Sequence, residues 1–425
     1  MQRYDTYKDS GVKWLGEIPE HWEVKHLRNF LTIFSEKGYG NSQLLSVTRE
    51  KGVILRDKDN KEENHNYVPD DLSGYKHLDV GDFVINKMKS WQGSYGVSDY
   101  EGIVSPAYFT CKLKGVNPKF FSRAIRSKVY VGFFMQYSKG IRVDQWDLDP
   151  SSMKDIPFVL PSEKEQEAIA NYLDTATAKI DAAIAQQQKM IDLLNERKQI
   201  IINRAVTKGL NPNAKMKDSG VEWIGEVPEH WEISQLKKVA KIILGKMLSR
   251  EQGNLYPYIC AKDVHYGSID VSDLKVMHFT DYEKNIYEVK KGDMLIVEGG
   301  AGAGGCAIYN GDERGIYIQN SIMIVRGNFD MLNSYICYTI QSMNQRGYVE
   351  YICNKATIPH FTKEKVGAVT IPIPPIKEQR AIVNHVVELI KPIDKNLDTC
   401  NKQISLLQER KQIIINEVVT GKVKV

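Results

Sequence analysis

The stretch LLNERKQIIINRAVT at residues 193–207 returns as LLQERKQIIINEVVT at residues 406–420, with 12 of 15 positions identical. Such an internal repeat has to be recognised before any fold is inferred. The same offset of 213 residues relates KEQ at 164–166 to KEQ at 377–379, so about 45 residues are duplicated. The chain therefore carries two copies of one long segment.

Apolar residues follow both copies at spacings of three, four or their sum, which predicts one apolar stripe along a long helix. A helix over residues 162–208 would be about 70 Å long, whereas the roughly 140 residues between the helices would form a globule about 35 to 40 Å across. Since that globule could not span the helix, we expect the stripes to pack antiparallel. The stripe residues are Ile169, Leu173, Ala176, Ile180, Ile184, Ile191, Leu194, Ile201 and Ala205, and then Ile382, Val386, Leu389, Ile393, Leu397, Ile404, Leu407, Ile414 and Val418.

A second repeat opens each half of the chain. Residues 8–23 read KDSGVKWLGEIPEHWE and residues 217–232 read KDSGVEWIGEVPEHWE, with 13 of 16 positions identical. Tryptophan at regular spacing is usually a core residue. A packed opening segment is therefore predicted in each half, built on Trp14, Trp22, Trp223 and Trp231.

Between these repeats, residues 24–160 and 233–374 share little continuous identity. Short apolar runs such as QLLSV, DFVIN, YFTCKL, DMLIV and SIMIVR predict strands, and one helix is expected in each region, over 118–137 and 331–346. The sequence therefore predicts an α+β fold in which two mixed α/β domains are separated by two long antiparallel helices with pseudo-two-fold symmetry. The predicted segments are 1–160, 161–209, 210–374 and 375–425.

Composition sets broad limits on the protein class. With 425 residues, 42% hydrophobic and 26% charged, the chain has enough apolar material for more than one core. No stretch approaches about 18 apolar residues and the N-terminus lacks a signal-peptide pattern, so a cytoplasmic location is expected. The six cysteines are scattered without a C-x-x-C pair, which indicates neither a zinc site nor a disulfide framework.

Charge is distributed unevenly, although the net charge of +4 is only mildly basic. Residues 102–143 contain eight Lys or Arg and no Asp or Glu. Lys119, Arg123 and Arg126 would share one face of a helix, and clustered cations of this kind neutralise phosphates. A solvated basic surface is an equally good interpretation of the charge alone.

Motifs for catalysis do not assemble in this sequence. The run VEGGAGAGG at residues 297–305 contains G-x-G-x-x-G after an apolar strand, but CAIYNGDERG follows where a phosphate-binding loop needs a helix. We therefore interpret it as a loop that approaches the backbone of a partner. No G-K-[ST] or H-E-x-x-H is present, and no catalytic residue or metal ligand is predicted.

At this point the sequence resembles a known family. The opening S-G-V-x-W-[LI]-G-E-[IV]-P-E-H-W, the proline before K-E-Q, and L-L-x-E-R-K-Q near each helix end resemble the specificity subunit of type I restriction-modification systems. That resemblance implies two target-recognition domains held by two antiparallel helices, without catalysis in this chain. It also implies double-stranded DNA, two modification subunits and restriction subunits as partners, with S-adenosylmethionine, ATP and Mg²⁺ bound by those subunits.

Candidate DNA contacts follow from this interpretation, because phosphate contacts position a protein on DNA while base contacts specify the sequence. Residues 24–160 offer a loop after DFVIN and a later basic segment, and residues 233–374 offer the matching glycine loop and segment. The predicted DNA-binding residues are Lys87, Lys89, Trp91, Gln92, Tyr95, Lys119, Arg123, Arg126, Lys139, Arg142, Gln145, Trp146, Gly300, Gly302, Lys355, Thr357 and His360.

Two alternatives to a recognition subunit remain open at the level of sequence. The chain could be a DNA methyltransferase or nuclease that acts by itself, against which the missing cofactor motifs argue. It could also be a coiled-coil scaffold that does not contact DNA. A methyl-transfer assay on the isolated chain would test the first, and a gel shift with partner subunits would test the second.

Overall fold

The computed structural model describes residues 2–57, 68–140, 146–247, 253–300, 302–353 and 359–425. It contains two compact units. Unit 1 comprises Met1–Gln188 and Asn401–Val425, and unit 2 comprises Lys189–Cys400. Each unit therefore holds one globular region together with part of each long helix.

Unit 1 carries the first fourteen strands. It has short 3₁₀ helices at Leu27–Asn29 and Ser90–Gln92, and its first long helix, α4, continues into unit 2. The elements are β1 (Tyr7–Asp9), β2 (Glu17–Pro19), β3 (Glu23–His26), β4 (Leu31–Phe34), β5 (Leu45–Thr48), β6 (Gly52–Leu55), β7 (Lys76–Leu78), β8 (Phe83–Ile85), β9 (Tyr95–Val97), β10 (Gly102–Val104), β11 (Phe109–Leu113), α1 (Pro118–Ile125), α2 (Lys128–Tyr137), β12 (Ser138–Lys139), β13 (Asp147–Leu148), α3 (Pro150–Lys154), β14 (Pro157–Leu160) and α4 (Glu163–Lys208).

Unit 2 carries the remaining strands and a 3₁₀ helix at Ala261–Asp263. Its last helix, α10, returns to unit 1. The elements are β15 (Met216–Asp218), β16 (Glu226–Pro228), β17 (Glu232–Gln235), α5 (Leu236–Val239), β18 (Ala240–Leu244), β19 (Asn254–Ile259), β20 (Val264–His265), β21 (Ser268–Ile269), β22 (Lys275–Phe279), α6 (Asp281–Tyr287), β23 (Met294–Val297), β24 (Cys306–Ile308), β25 (Tyr317–Ile318), β26 (Ile322–Gly327), α7 (Asn333–Gln345), α8 (Tyr348–Cys353), α9 (Lys363–Ala368), β27 (Thr370–Ile373) and α10 (Ile376–Val419).

Each unit contains its own four-stranded sheet of the same design, although their sequences hardly reveal the similarity. Unit 1 has an antiparallel sheet in the order β4-β11-β8-β9, and unit 2 has one in the order β18-β26-β23-β24. The strands β8 and β23 are buried along their whole length, which explains their continuous apolar sequences. The α+β prediction is confirmed, whereas the helix expected over 118–137 is two helices that break at Arg126–Ser127.

A Gly-Asp pair precedes the buried strand in each unit and has the same structural role. Gly81 and Gly292 have positive φ angles of 93° and 88°, a conformation that favours glycine. The following carboxylates are buried and accept a hydrogen bond from the backbone three residues earlier. Asp82 then pairs with Lys112 of β11 at 2.9 Å, and in unit 2 the aspartate pairs with an arginine of β26.

That second pair supports a stability prediction. Asp293 receives hydrogen bonds from Nε and Nη2 of Arg326 at 2.7 and 2.6 Å, so Asp293→Ala strands a half-buried guanidinium and should destabilise unit 2 by about 3 kcal/mol. The control is Asp312→Ala, which removes an exposed pair with Lys291 and should cost less than about 1 kcal/mol. Urea unfolding of the full chain measures both, and equal costs would contradict the role assigned to Asp293.

The ends of the long helices are fixed by the duplicated opening motifs. Gly209 and Gly421 follow α4 and α10 with φ angles of 69° and 73°, as expected for helix C-caps. A Cβ at Gly421 would lie 3.1 Å from Trp22, and one at Gly209 would lie 3.0 Å from Trp231. Each opening motif thus packs closely on a helix end, which requires glycine there.

The glutamine of each KEQ sequence ties the helix start to the globular region. Gln166 and Gln379 are buried. Their side-chain oxygens accept hydrogen bonds from the N-cap residues of α1 and α7, at 2.8 Å from Asn117 N and 3.0 Å from Leu332 N. This repeated contact gives the duplicated KEQ a packing role.

Within each unit the two long helices pack antiparallel, as predicted. In unit 1 the first half of α4 shares a core with the last turns of α10, and Lys411 Nζ lies 2.6 Å from Asp181. In unit 2 the last turns of α4 share a core with the first half of α10, and Lys198 Nζ lies 2.6 Å from Asp394. Of the predicted stripe residues only Leu389 is exposed.

Two further properties concern the described residues only. No helix among them combines the length and the continuous apolar character that a membrane crossing needs. No group of three His, Cys, Asp or Glu side chains among them could hold a metal ion.

Candidate nucleic-acid interface

In unit 1, the structure brings together the two predicted DNA-binding segments. The connection from β8 to β9 lies against β12 and β13, which follow α2. Leu148 N donates to Lys87 O at 3.2 Å, and the hydroxyls of Ser90 and Ser138 are 3.3 Å apart. We call this connection, residues 86–94, together with residues 138–140 and 146–148, the reading surface of unit 1.

Aromatic and basic side chains are mixed on this surface. The rings of Trp91 and Trp146 lie 5.3 Å apart, tilted by 56°. Gln92, which follows Trp91 in the sequence, is half-buried. Lys89 and Lys139 are exposed. An aromatic pair flanked by free ammonium groups can stack on bases and neutralise phosphates.

Lys87 differs from the other two lysines because it already has a partner. Its ammonium lies 2.9 Å from the carboxylate of Asp147, and about a third of its side chain is exposed. The ion pair connects the hairpin to β13. A contact of Lys87 with DNA therefore stays a prediction that would require this surface pair to open.

In unit 2, the glycine loop occupies the matching position, and a later segment again lies against it. Gly300 N donates to Pro359 O at 3.2 Å, and Phe361 N donates to Glu298 O at 2.6 Å. A Cβ at Gly299 would approach the His360 ring to 2.9 Å. We call residues 298–300 and 302–305 with residues 359–361 the reading surface of unit 2, on which Gly302 and His360 are exposed.

Electrostatics on this second surface depend on Glu298 and His360. Burial raises the pKa of Glu298, although the nearby His360 lowers it in part. Lys365 Nζ donates to His360 O at 3.0 Å. Because glycine has no side chain, the glycines of this loop can offer only their backbone to a ligand, and such a contact stays a prediction.

One glycine in each loop determines the path of the loop's backbone. Gly93 and Gly304 have φ angles of 92° and 80°. An added Cβ would lie 3.3 Å from Val131 of α2 and 3.0 Å from Val349 of α8. Each loop therefore packs closely on a helix, α2 in unit 1 and α8 in unit 2. The positive φ angle and the lack of space for a Cβ both favour glycine at these positions.

The three residues of the predicted basic helix face have different surroundings in the structure. Lys119 is exposed, whereas Arg123 donates two hydrogen bonds to Asp174 of α4, at 3.0 and 2.7 Å. Arg126 donates to three backbone carbonyls, those of Tyr95, Arg49 and Glu50, at 2.7 to 3.0 Å. Arg126 therefore stabilises unit 1 internally, and only Lys119 presents a free charge on this face.

The structure also corrects the prediction that Tyr95 binds DNA. Its side chain is fully buried and stacks on Phe134 with ring centroids 4.1 Å apart. Burial raises the pKa of its hydroxyl. In this fold the ring belongs to the core beneath the reading surface and cannot touch DNA.

Four predicted residues lie outside the described ranges: Arg142, Gln145, Lys355 and Thr357. Sequence reasoning missed Gly93 and Gly304, although glycine beside an apolar strand was a usable signal. It also missed Tyr351, an exposed aromatic residue of α8 that stacks on Tyr348 at 5.7 Å.

Comparison with known proteins gives this architecture a family. The family described as the type I restriction modification DNA specificity domain matches residues 228–407. A protein of Methanocaldococcus jannaschii named as the MjaX type I restriction enzyme specificity subunit is 26% identical and is covered over 98% of its length by 99% of this chain. The EcoKI specificity subunit of Escherichia coli is 20% identical, with 90% of it and 96% of this chain covered.

A solved chain supports the fold. It comes from work described as the structural basis of complex assembly and conformational transition of the type I R-M system, and it matches with a TM-score of 0.67 at 15% identity, covering 96% of this chain and 99% of its own.

The chain belongs to the specificity subunits of type I restriction-modification systems.

For a specificity subunit the task is recognition of a DNA target, and the sequence prediction of that function is confirmed. Its partners are DNA and the modification and restriction subunits of the same system. The alternatives of a methyltransferase or nuclease acting alone, or of a scaffold without DNA, are not supported.

Proposed function

We propose that this specificity subunit reads a split, asymmetric DNA target, with one part read by each unit. The observation that carries the proposal is the paired construction of the two reading surfaces. In both units the loop after the buried strand lies against a second segment, yet one loop presents Trp91 and lysines and the other presents glycine backbone. Two surfaces that occupy the same position in the fold but present different chemical groups can recognise two different base sequences.

On unit 1, Lys89, Lys139 and Lys119 would hold phosphates, while Trp91, Gln92 and Trp146 would meet the bases. On unit 2, Gly300 and Gly302 would let the backbone approach DNA closely, and His360 would supply the side-chain contact. The residues Arg142, Gln145, Lys355 and Thr357 stay candidates in the same segments.

We also propose one modification subunit for each unit. The duplicated helix sequence exposes the same two apolar positions in both copies. Leu193 and Ile200 are 51% and 59% exposed in unit 2, and Leu406 and Ile413 are 64% and 47% exposed in unit 1. These residues are seven apart and so lie on one helix face, which supports one docking face in each unit.

Catalysis and cofactors would belong to those partners. S-adenosylmethionine would be bound by the modification subunits, and ATP and Mg²⁺ by the restriction subunits, in a cytoplasmic complex. In this proposal the chain itself contributes DNA recognition and docking without a chemical step.

Sequencing of modified bases tests the proposal. In cells that carry this chain and its modification subunit, we expect methylation at one sequence motif made of two defined parts and an unread spacer of constant length. Cells with the modification subunit alone are the control and should lack that motif. A continuous motif, or the same motif without this chain, would contradict the proposal.

A further inference from the structure

The two copies of the opening motif differ in the exposure of their first tryptophan. Trp14 is 72% exposed in unit 1, whereas Trp223, at the same position of the motif, is 4% exposed in unit 2. Because an indole carries a large apolar area, leaving one in water is costly unless something covers it. The other tryptophans of the motif, Trp22 and Trp231, are both fully buried.

The contacts made by the first helix after the central sheet also differ between the units. In unit 2, Arg346 caps the C-terminus of α7 and donates its Nη1 to Trp223 O, and the Tyr348 ring lies 6.3 Å from the indole. In unit 1, Arg126 caps α1 and is directed to the carbonyls of Tyr95 and residues 49–50 instead. Thus the arginine at the end of the helix donates to the motif's backbone in unit 2, whereas its counterpart in unit 1 donates to other carbonyls.

The place of Trp14 in the opening motif indicates which kind of partner would cover it. In the proposed function, DNA is read by the divergent regions 24–160 and 233–374. The opening motif belongs instead to the duplicated frame, which we define as residues 8–23 and 217–232 together with the helices α4 and α10. The same unit carries the exposed Leu406 and Ile413 of α10, and the C-terminal residues that follow α10 contact the motif through Lys422, whose Nζ donates to Glu17 O at 2.6 Å. The indole therefore belongs to the duplicated frame of unit 1, in a motif that the residues after α10 contact.

Charge beside the tryptophan differs as well. Lys13 precedes Trp14, whereas Glu222 precedes Trp223, and both side chains are exposed. A partner surface that meets Trp14 would hence suit an apolar pocket with an acidic rim, and the same surface would be repelled by Glu222. Both differences favour tighter binding at unit 1.

We propose that Trp14 anchors a modification subunit on unit 1, and that unit 2, with its tryptophan covered, binds its modification subunit more weakly. This inference rests on the proposed docking of one modification subunit per unit. It predicts stepwise assembly, in which the first modification subunit occupies unit 1.

The test is a titration of purified modification subunit into the full chain, followed by calorimetry and native mass spectrometry. The wild-type chain should bind two subunits in steps that differ at least about tenfold in Kd. Trp14→Ala should weaken the tight step about 30-fold, as for an interface hot spot, and should leave thermal unfolding unchanged since the side chain is exposed. Lys13→Glu should weaken the same step about threefold, as for an exposed ion pair.

The matched control is Phe329→Ala, which removes a fully exposed aromatic side chain from unit 2 outside the frame and should leave both steps unchanged. If Trp14→Ala binds like the wild type, the anchor is wrong. If it leaves the titration unchanged but weakens DNA binding by the assembled complex, Trp14 is a DNA contact and the inference is overturned. A wild-type chain that binds no modification subunit would instead overturn the proposed function itself.

Discussion

Replacing residues 24–160 with the corresponding region of a related specificity subunit is expected to exchange one part of the recognised DNA sequence completely. The other part and the spacer should stay the same. The physical reason is that the divergent region of unit 1 carries a whole reading surface, whereas the frame carries none. Base-modification sequencing of cells with the hybrid chain and its modification subunit measures the outcome.

The fold makes this graft practicable. Strands β3 and β14 pair antiparallel, with Val24 opposite Val159 and Glu23 opposite Leu160, so the inserted region enters and leaves the frame at neighbouring positions. The tie from Gln166 to the N-cap of α1 uses a backbone N–H and does not depend on the grafted sequence. Arg123, in contrast, pairs with Asp174 of α4, so an arginine at the corresponding graft position should be retained.

The reciprocal graft is the matched control. Exchange of residues 233–374, whose ends are joined by the pairing of β17 with β27, should change the other part of the target alone. Loss of both parts in either hybrid, from a chain that still binds its modification subunit, would mean that the units read DNA jointly. Modular reading would then be excluded.

Insertion of one heptad in each long helix is expected to lengthen the unread spacer by about three base pairs. Both α4 and α10 begin in one unit and end in the other. Seven residues add about 10 Å of helix, and base pairs lie about 3.4 Å apart. Repeating residues 182–188 after Gln188 and residues 395–401 after Asn401 keeps the apolar stripes in register.

The insertion points leave the interhelical ion pairs intact. Asp181 and Lys411 remain in unit 1, and Lys198 and Asp394 remain in unit 2, because both insertions fall between the pairs. Three base pairs also rotate one part of the target by roughly a quarter turn or more around the duplex, so overall activity should fall.

Preference for spacer length is therefore the decisive readout. Selection from a DNA library of different spacer lengths, with the wild type in parallel, separates spacing from activity. A folded, binding-competent variant that keeps the wild-type preference would show that the helices do not set the spacing.

Much of the frame could be predicted because it depends on repeats and on apolar spacing that are visible along the sequence. Repetition of ERKQIII and of the opening motif needs no structure to be seen, and apolar spacing indicates a helix because 3.6 residues make a turn. Stripe residues such as Ile169, Ile382 and Ile414 are buried as that spacing requires. The family followed from the same repeats.

The site was less predictable, because sequence does not state which partner a side chain will take. The loop of Lys89 and Trp91 and the segment of Lys139 and Trp146 were found by composition, and the fold then placed them together. Tyr95 looked equally suitable, yet strand alternation and the packing of Phe134 bury it in the core.

The sequence by itself determined the duplicated frame, its two long helices and the family, since each depends on repetition and periodicity along the chain. Only the tertiary structure decided the roles of Arg126, Tyr95 and Trp14. Arg126 hydrogen-bonds to carbonyls distant in sequence, and Trp14 is exposed while Trp223 is buried. Burial and partner choice are properties of three-dimensional packing, so two copies of nearly one motif acquire different surfaces.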